Sequence, residues 1–172
     1  MNGLPAVRFD GDDFFNFDST QIVNTSFTMF LVDRKIGIGA NYFISWNASA
    51  SCNVSECFHT GYSLDNQFHI GFWGNDVAFP SNSLMGQKNR IHTIMLDRSF
   101  GKRYWLDGGS TPDVTQNNPT PILANKASAL GLGISAYNGY IAEFIVFSRA
   151  LKDEERQSIE SYLGKKFAIA IN

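Results

Sequence analysis

An all-β sandwich closed by one C-terminal helix is the fold class this sequence predicts. Three observations carry that reading. The first ~145 residues break into short apolar runs separated by Gly, Asn, Asp and Ser clusters, the punctuation of a many-stranded sandwich. Within several of those runs the side chains alternate with a period of two. From Asp153 onward the period becomes helical, with Ile159, Tyr162, Leu163 and Phe167 on one face.

The strands follow in order. Ala6-Val7-Arg8-Phe9 is short and runs into Asp10-Gly11-Asp12-Asp13, a turn by composition. Phe27 to Val32 is apolar on both faces, which predicts a central strand. Phe68, Ile70 and Phe72 alternate with Gln67, His69, Gly71 and Trp73, giving one oily face and one polar-aromatic face. Tyr104-Trp105-Leu106 enters Asp107-Gly108-Gly109, which reads as a hairpin. Leu130, Leu132 and Ile134 alternate with small residues, and Ile141 to Phe147 reads as another buried strand. In the helix, acidic residues come first and Lys165-Lys166 last, in agreement with the helix dipole. Gly164 costs that helix about 1 kcal/mol relative to alanine, so its last turn is expected to fray.

Size and composition bound the function. At 172 residues, with 44% hydrophobic and only 17% charged residues, the chain fits one domain over 1–172 and is not disordered. No linker, internal repeat or low-complexity tract divides it. A net charge of −2 supplies no basic field for phosphates, which argues against nucleic acid. No apolar run nears the ~20 residues that cross a bilayer, so membrane insertion is not expected. Met1 to Pro5 lacks the charged and apolar regions of a signal peptide. Export by another route, release of a virion by lysis, and a piece of a longer chain all fit.

Cys52 and Cys57 would close a small loop. A disulfide and two free thiols both remain open, and a lone pair does not complete a zinc site. Asn24-Thr25-Ser26, Asn47-Ala48-Ser49 and Asn53-Val54-Ser55 have the form of glycosylation acceptors, which matters only in a eukaryotic secretory route.

Near the C-terminus the residues become recognisable. Gly139-Tyr140-Ile141-Ala142-Glu143-Phe144-Ile145-Val146-Phe147-Ser148-Arg149-Ala150-Leu151 resembles the last strand and lead-out of laminin-G-like jelly rolls in the concanavalin A-like lectin and glucanase superfamily. Asp153 to Gln157 and Ile159 to Leu163 resemble the terminal helix of its microbial and viral members. Val7 to Gly11 is similar to their opening strand and turn, and Tyr104 to Gly108 to a central strand. Lys152 departs from the serine frequent there as helix N-cap, losing an acceptor worth ~1 kcal/mol unless Asp153 takes over. The resemblance implies a two-sheet antiparallel jelly roll on a secreted, cell-surface or virion protein, often glycan-binding and sometimes holding calcium at the rim. Fold alone does not fix function.

Catalysis is not expected. Glycosidases need two carboxylic groups facing one bond, ~5–5.5 Å apart for retention. Of the five glutamates, Glu154, Glu155 and Glu160 fall in the helix, Glu56 in the cysteine loop, and Glu143 alone in a strand. The glucanase pattern Glu-x-Asp-x-x-Glu is absent.

The ligand face expected is that of Gln67, His69 and Trp73, with Asn75 and Asp76 at the strand end. An aromatic platform beside amides and carboxylates suits sugars, whose apolar C–H faces are edged by hydroxyls. Gly71 is expected to leave a shallow depression. If Asp65-Asn66 makes a two-residue hairpin, Tyr62 lies opposite His69 on this face; a three-residue loop would substitute His59 and Gly61. Half-buried packing is the competing reading of these aromatics. Asp10 and Asp12 share a side and are candidate calcium ligands, whereas Asp13 points away; a solvated turn is the alternative. No cofactor is required. Three functions follow in order: carbohydrate recognition on a virion or cell surface, a structural or decoration domain that self-associates or joins a parent assembly, and a glycosidase.

Overall fold

The computed structural model describes residues 1–46, 51–64, 67–80, 88–117, 128–131 and 135–172. The strands are β1 (Val7–Asp10), β2 (Phe15–Phe17), β3 (Phe27–Lys35), β4 (Asn41–Trp46), β5 (Phe58–Tyr62), β6 (Gln67–Phe72), β7 (Val77–Pro80), β8 (Arg90–Asp97), β9 (Gly101–Leu106), β10 (Val114–Gln116), β11 (Ser128–Leu130) and β12 (Asn138–Phe147). A 3-10 turn, Ser19–Ile22, precedes β3, and α1 (Asp153–Phe167) ends the chain. They form two antiparallel sheets of six strands, β1-β12-β3-β8-β9-β10 and β2-β11-β4-β5-β6-β7, called here the first and second sheet. The expected sandwich with one C-terminal helix is the observed architecture.

The two apolar faces of β3 have separate destinations. Phe27, Met29 and Leu31 enter the core between the sheets, against Phe43, Phe58, Phe68 and Phe72. Phe30 and Val32 point outward beneath α1 and the tail, with Ile91, Met95 and Trp105, where Leu163, Phe167 and Ile169 cover them. A sheet with a helix on its back needs such strands, and each fully buried aliphatic or aromatic side chain there is worth roughly 1.5–3 kcal/mol. Arg156 and Glu160 are also buried under the helix, paired at 2.6 Å, with the guanidinium 4.1 Å above the Trp105 ring. Cation–π contact and pairing offset the desolvation of that charge.

The helix ends differ from expectation. Asp153 does not replace the missing cap: the Lys152 backbone N–H donates to the Glu155 carboxylate at 3.0 Å, which Arg149 also holds through two 2.8 Å bonds. These bonds, Arg149 first, draw the Glu155 carboxyl down to about 2. At the other end Gly164 does not fray. A side chain there would meet Ile171 at 2.8 Å, so glycine lets the tail fold back across the helix after Ala168 turns left-handed at φ 53°.

Two strand expectations also change. Asp107-Gly108-Gly109 is not a tight hairpin, because Val114 pairs with Tyr104 and residues 107–113 form a longer connection. The Asp107 carboxylate instead accepts from the Ile91 N–H at 2.9 Å and binds Arg90. β12 lies between β1 and β3 but is only half-buried beyond Ile141. Leu132, Ile134, the Asp65-Asn66 turn and the Asn47-Ala48-Ser49 triplet lie outside the described residues.

Candidate functional site on the second sheet

β5 and β6 pair with His59 opposite Gly71, Gly61 opposite His69, and Tyr62 opposite Phe68. The Ser63 N–H donates to the Gln67 carbonyl at 2.8 Å. This is the three-residue register, and it turns Tyr62 inward. Tyr62 is therefore not a ligand-face residue. Its hydroxyl donates to the buried Asp33 carboxylate at 3.0 Å, as does that of Tyr137 at 2.7 Å. His92 Nε2 reaches the same carboxylate at 2.9 Å, and its Nδ1 lies 2.8 Å from the Tyr104 hydroxyl. Burial first, then Asp33, pushes the Tyr62 and Tyr137 hydroxyls well above the ordinary tyrosine range. This network gives a carboxyl group inside the core its hydrogen-bond partners.

Phe68, Ile70 and Phe72 are sealed in the core as the alternation requires, which leaves Gln67, His69 and Gly71 on the outer side. Tyr42 of β4, opposite Gly61, joins them: its hydroxyl lies 3.3 Å from His69 Nδ1, and its ring is 5.9 Å from that of His59. No depression opens over Gly71. A Cβ there would lie 2.2 Å from His59 Nε2 and 2.4 Å from Asp76 Oδ1, because those side chains fold over the glycine. Asp76 Oδ1 stands 3.5 Å from His59 Nε2 and accepts from the Phe72 N–H at 3.1 Å. Burial draws the His59 imidazole below its ordinary value, leaving it neutral at pH 7; the Cys57 carbonyl and Asp76 act the other way.

Trp73 faces water, but through a turn rather than by alternation. The strand ends at Phe72, Trp73 has φ 35° and Gly74 φ 71°, and the indole-bearing residue is 45% exposed. A bulky residue in the left-handed region is strained. Ser55 and Cys57 share this conformation, at φ 67° and 56°, and the Ser55 N–H donates to the Trp73 carbonyl at 3.0 Å. Cys52 and Cys57 form a disulfide, which resolves the open question of the thiols. The bridged loop therefore braces the tryptophan turn. Asn75 is drawn in from two sides. Its amide donates to Ser55 Oγ at 3.3 Å, while Lys102 Nζ donates to its carbonyl and, at 3.0 Å, to its Oδ1. Lys102 reaches across from the first sheet, spends its third donor on Gln116 Oε1 at 2.8 Å, and is held down at about 8 by burial. Sequence periodicity could not reveal Tyr42, Lys102 or Gln116, which meet this corner from distant strands.

Asp10, Asp12 and Asp13 bring their carboxylates within 4.8 Å of one another at the surface. Because β1 ends at Asp10, strand alternation does not separate Asp13, which accepts from the Asp10 N–H at 3.4 Å. A hydrogen bond between the Asp10 and Asp12 carboxyls lowers the first and raises the second. These are the described residues that could hold a hard cation. Of the glutamates, Glu143 pairs with Lys166 of α1 at 2.8 Å, and Glu56 accepts from Asn53 within the disulfide loop.

No protein-family model matches the sequence, and no curated protein matches it. Solved structures do. The CBM40 module of the Ruminococcus gnavus IT-sialidase, bound to α2,3-sialyllactose, superposes with a TM-score of 0.67 at 13% identity, over 90% of this chain and 96% of that one. The SAP-like pentraxin of Limulus polyphemus gives 0.65 at 13% identity over 90% and 81%. The binding domain of Paraclostridial Mosquitocidal Protein 1 gives 0.67 at 14% identity over 94% of this chain and 45% of that one. At such identities the likeness is one of architecture: a sandwich of two antiparallel sheets.

Proposed function

We propose that this chain is a non-catalytic glycan-binding module of a cell-surface or virion protein, in the laminin-G-like branch that its terminal strand and helix resemble. The observation that carries the reading is the solvent-facing Trp73, held on a braced turn that leads into Asn75 and Asp76, at the end of the strand that carries Gln67 and His69 on its outer side. Strain collected at one corner of a fold is a mark of a functional site. The CBM40 and paraclostridial likenesses support a binding role, and a disulfide fits an oxidising, extracellular setting. No cofactor enters this reading. The acidic cluster begins where β1 ends and stands before β2, whereas Asp76 precedes β7, at the opposite edge of the second sheet. Titration against a glycan panel tests the proposal: Trp73→Ala is expected to abolish binding with the circular dichroism spectrum unchanged. Unaltered affinity in that variant would place the ligand elsewhere.

A structural role is the second reading, and one observation favours it. Val7, Phe14 and Phe15 are about half exposed, and Val7 and Phe15 flank an apolar groove of about 170 Å³ with Leu130, Ile141 and Phe144. Concentration-dependent association in sedimentation, lost in Phe15→Ser, is its signature.

A further inference from the structure

We infer that the Trp73 corner selects uncharged glycans and rejects acidic ones, an inference that rests on the recognition role proposed above. The chain from Ile36 to Gln87 contains no lysine or arginine, while it holds Glu56, Asp65 and Asp76. That stretch supplies β4, β5, β6 and β7, the disulfide loop and the tryptophan turn. The remaining strands of the second sheet, Phe-Asn-Phe and Ser-Ala-Leu, are also uncharged. Every lysine and arginine of the described strands belongs to the first sheet.

Among the described residues one cation reaches the corner from outside the stretch, and it is spent. Lys102 is buried, and its three ammonium protons go to the Asn75 carbonyl, Asn75 Oδ1 and Gln116 Oε1. His59 is neutral at pH 7 and covered. Arg34 and Lys88 line a cleft of about 540 Å³ with Arg90, Asp107 and the tail after α1. That cleft belongs to the first sheet and cannot serve a ligand at Trp73.

What the corner offers is an acceptor. The Asp76 side chain is 39% exposed, with Oδ1 engaged by Phe72 and His59 and Oδ2 bound to none of the described residues. A carboxylate accepts from sugar hydroxyls, as an uncharged hexose supplies them beside its apolar face. It repels a ligand carboxylate or sulfate, which would be desolvated here without a compensating cation. The module bound to sialyllactose shares this fold at 13% identity, and the charge of the present face sets a different preference.

The experiment is calorimetric titration of the full chain with neutral oligosaccharides and their sialylated and sulfated counterparts, lactose and 3′-sialyllactose among them. Neutral ligands are expected to bind, with the acidic counterpart at least about tenfold weaker and neutral binding unchanged between low and ~0.5 M salt. Asp76→Asn, which keeps an acceptor for the Phe72 N–H, is expected to narrow that gap. Acidic ligands binding as well as neutral ones, with both lost in Trp73→Ala, overturn the selectivity and leave the recognition role standing. Binding of no glycan at all overturns the recognition role itself.

Discussion

Lys102 puts an ammonium ion between the two sheets, where it holds the turn that carries Trp73. Its side chain leaves β9 on the core side, where Tyr104 and Leu106 also point, passes 5.3 Å from the Phe72 ring and ends on Asn75 and Gln116. Burial lowers it from 10.5 to about 8, against the attraction of Asp76. The folded chain thus holds that proton less tightly than the unfolded chain does. Between pH 8 and 10.5 the unfolded state binds more protons, so stability rises with pH through that window. At 1.36 kcal/mol for each tenfold change, wild type gains about 2 kcal/mol from about pH 7 to about pH 9.5 relative to Lys102→Met, which has nothing to titrate. Taking the difference cancels the other groups, including the raised tyrosines, whose stabilising contribution is lost only above their unfolded value of 10.0. Urea unfolding of both proteins across that range measures it. A difference that stays flat with pH refutes the buried ammonium. The same variant frees Asn75, so glycan affinity falls in Lys102→Met even where stability does not.

Other expectations are separable from this one. Trp73→Gly and Trp73→Ala both lose the glycan, but Gly accepts φ 35° without strain, so it unfolds about 1 kcal/mol later in urea than Ala. Equal stability of the two contradicts the left-handed turn. Tyr62→Phe removes two contacts to a buried carboxylate and costs about 2 kcal/mol of stability while leaving glycan affinity intact; lost affinity with unchanged stability would return Tyr62 to the ligand face. Reducing Cys52–Cys57 reopens a short loop worth about 2 kcal/mol, and because Ser55 holds the Trp73 carbonyl, calorimetry is expected to show weaker binding as well as a lower Tm. Binding untouched by reduction separates the loop from the site.

The parts of this fold that repeat were legible in the sequence, and the parts that depend on meeting were not. Period two places Phe68, Ile70 and Phe72 inside because the side chains of one strand take turns without knowledge of any other strand. The double apolar character of β3 announces a central strand for the same reason, although it does not say that the second face lies under a helix. Register is different. Whether Tyr62 sits opposite His69 or Phe68 turns on one residue of loop, and one residue exchanges the two faces of the sheet. The composition around Asp65 and Asn66 suits either length. A buried acid at position 33 supplies the tie-breaker, since it needs donors and Tyr62 provides one, but the pairing of residues 33 and 62 is a property of packed sheets. The Asp107 turn misled for a related reason: its side chain is committed to Arg90 and Ile91 on β8, so the chain continues to residue 113 before returning.

Charge distribution is the feature in which sequence and structure inform each other. A run from residue 36 to 87 without lysine or arginine looks unremarkable in a chain with net charge −2. Once the topology assigns its described strands to four neighbours in one sheet, those strands form a surface to which they contribute no lysine or arginine. Placing charge on the first sheet also has a structural logic. Its back is covered by α1, whose Lys166 pairs with Glu143 of β12 and whose Arg156, paired with Glu160, lies over the Trp105 ring of β9. No described helix covers the second sheet, and its outer side is built instead from tyrosine, histidine, glutamine and glycine, which accept water or a sugar with equal ease. Under the recognition role proposed above, orienting a ligand on such a polar surface falls to an aromatic platform. Trp73 is the exposed aromatic at that corner, and the disulfide loop, Asn75 and Lys102 are what make its turn rigid.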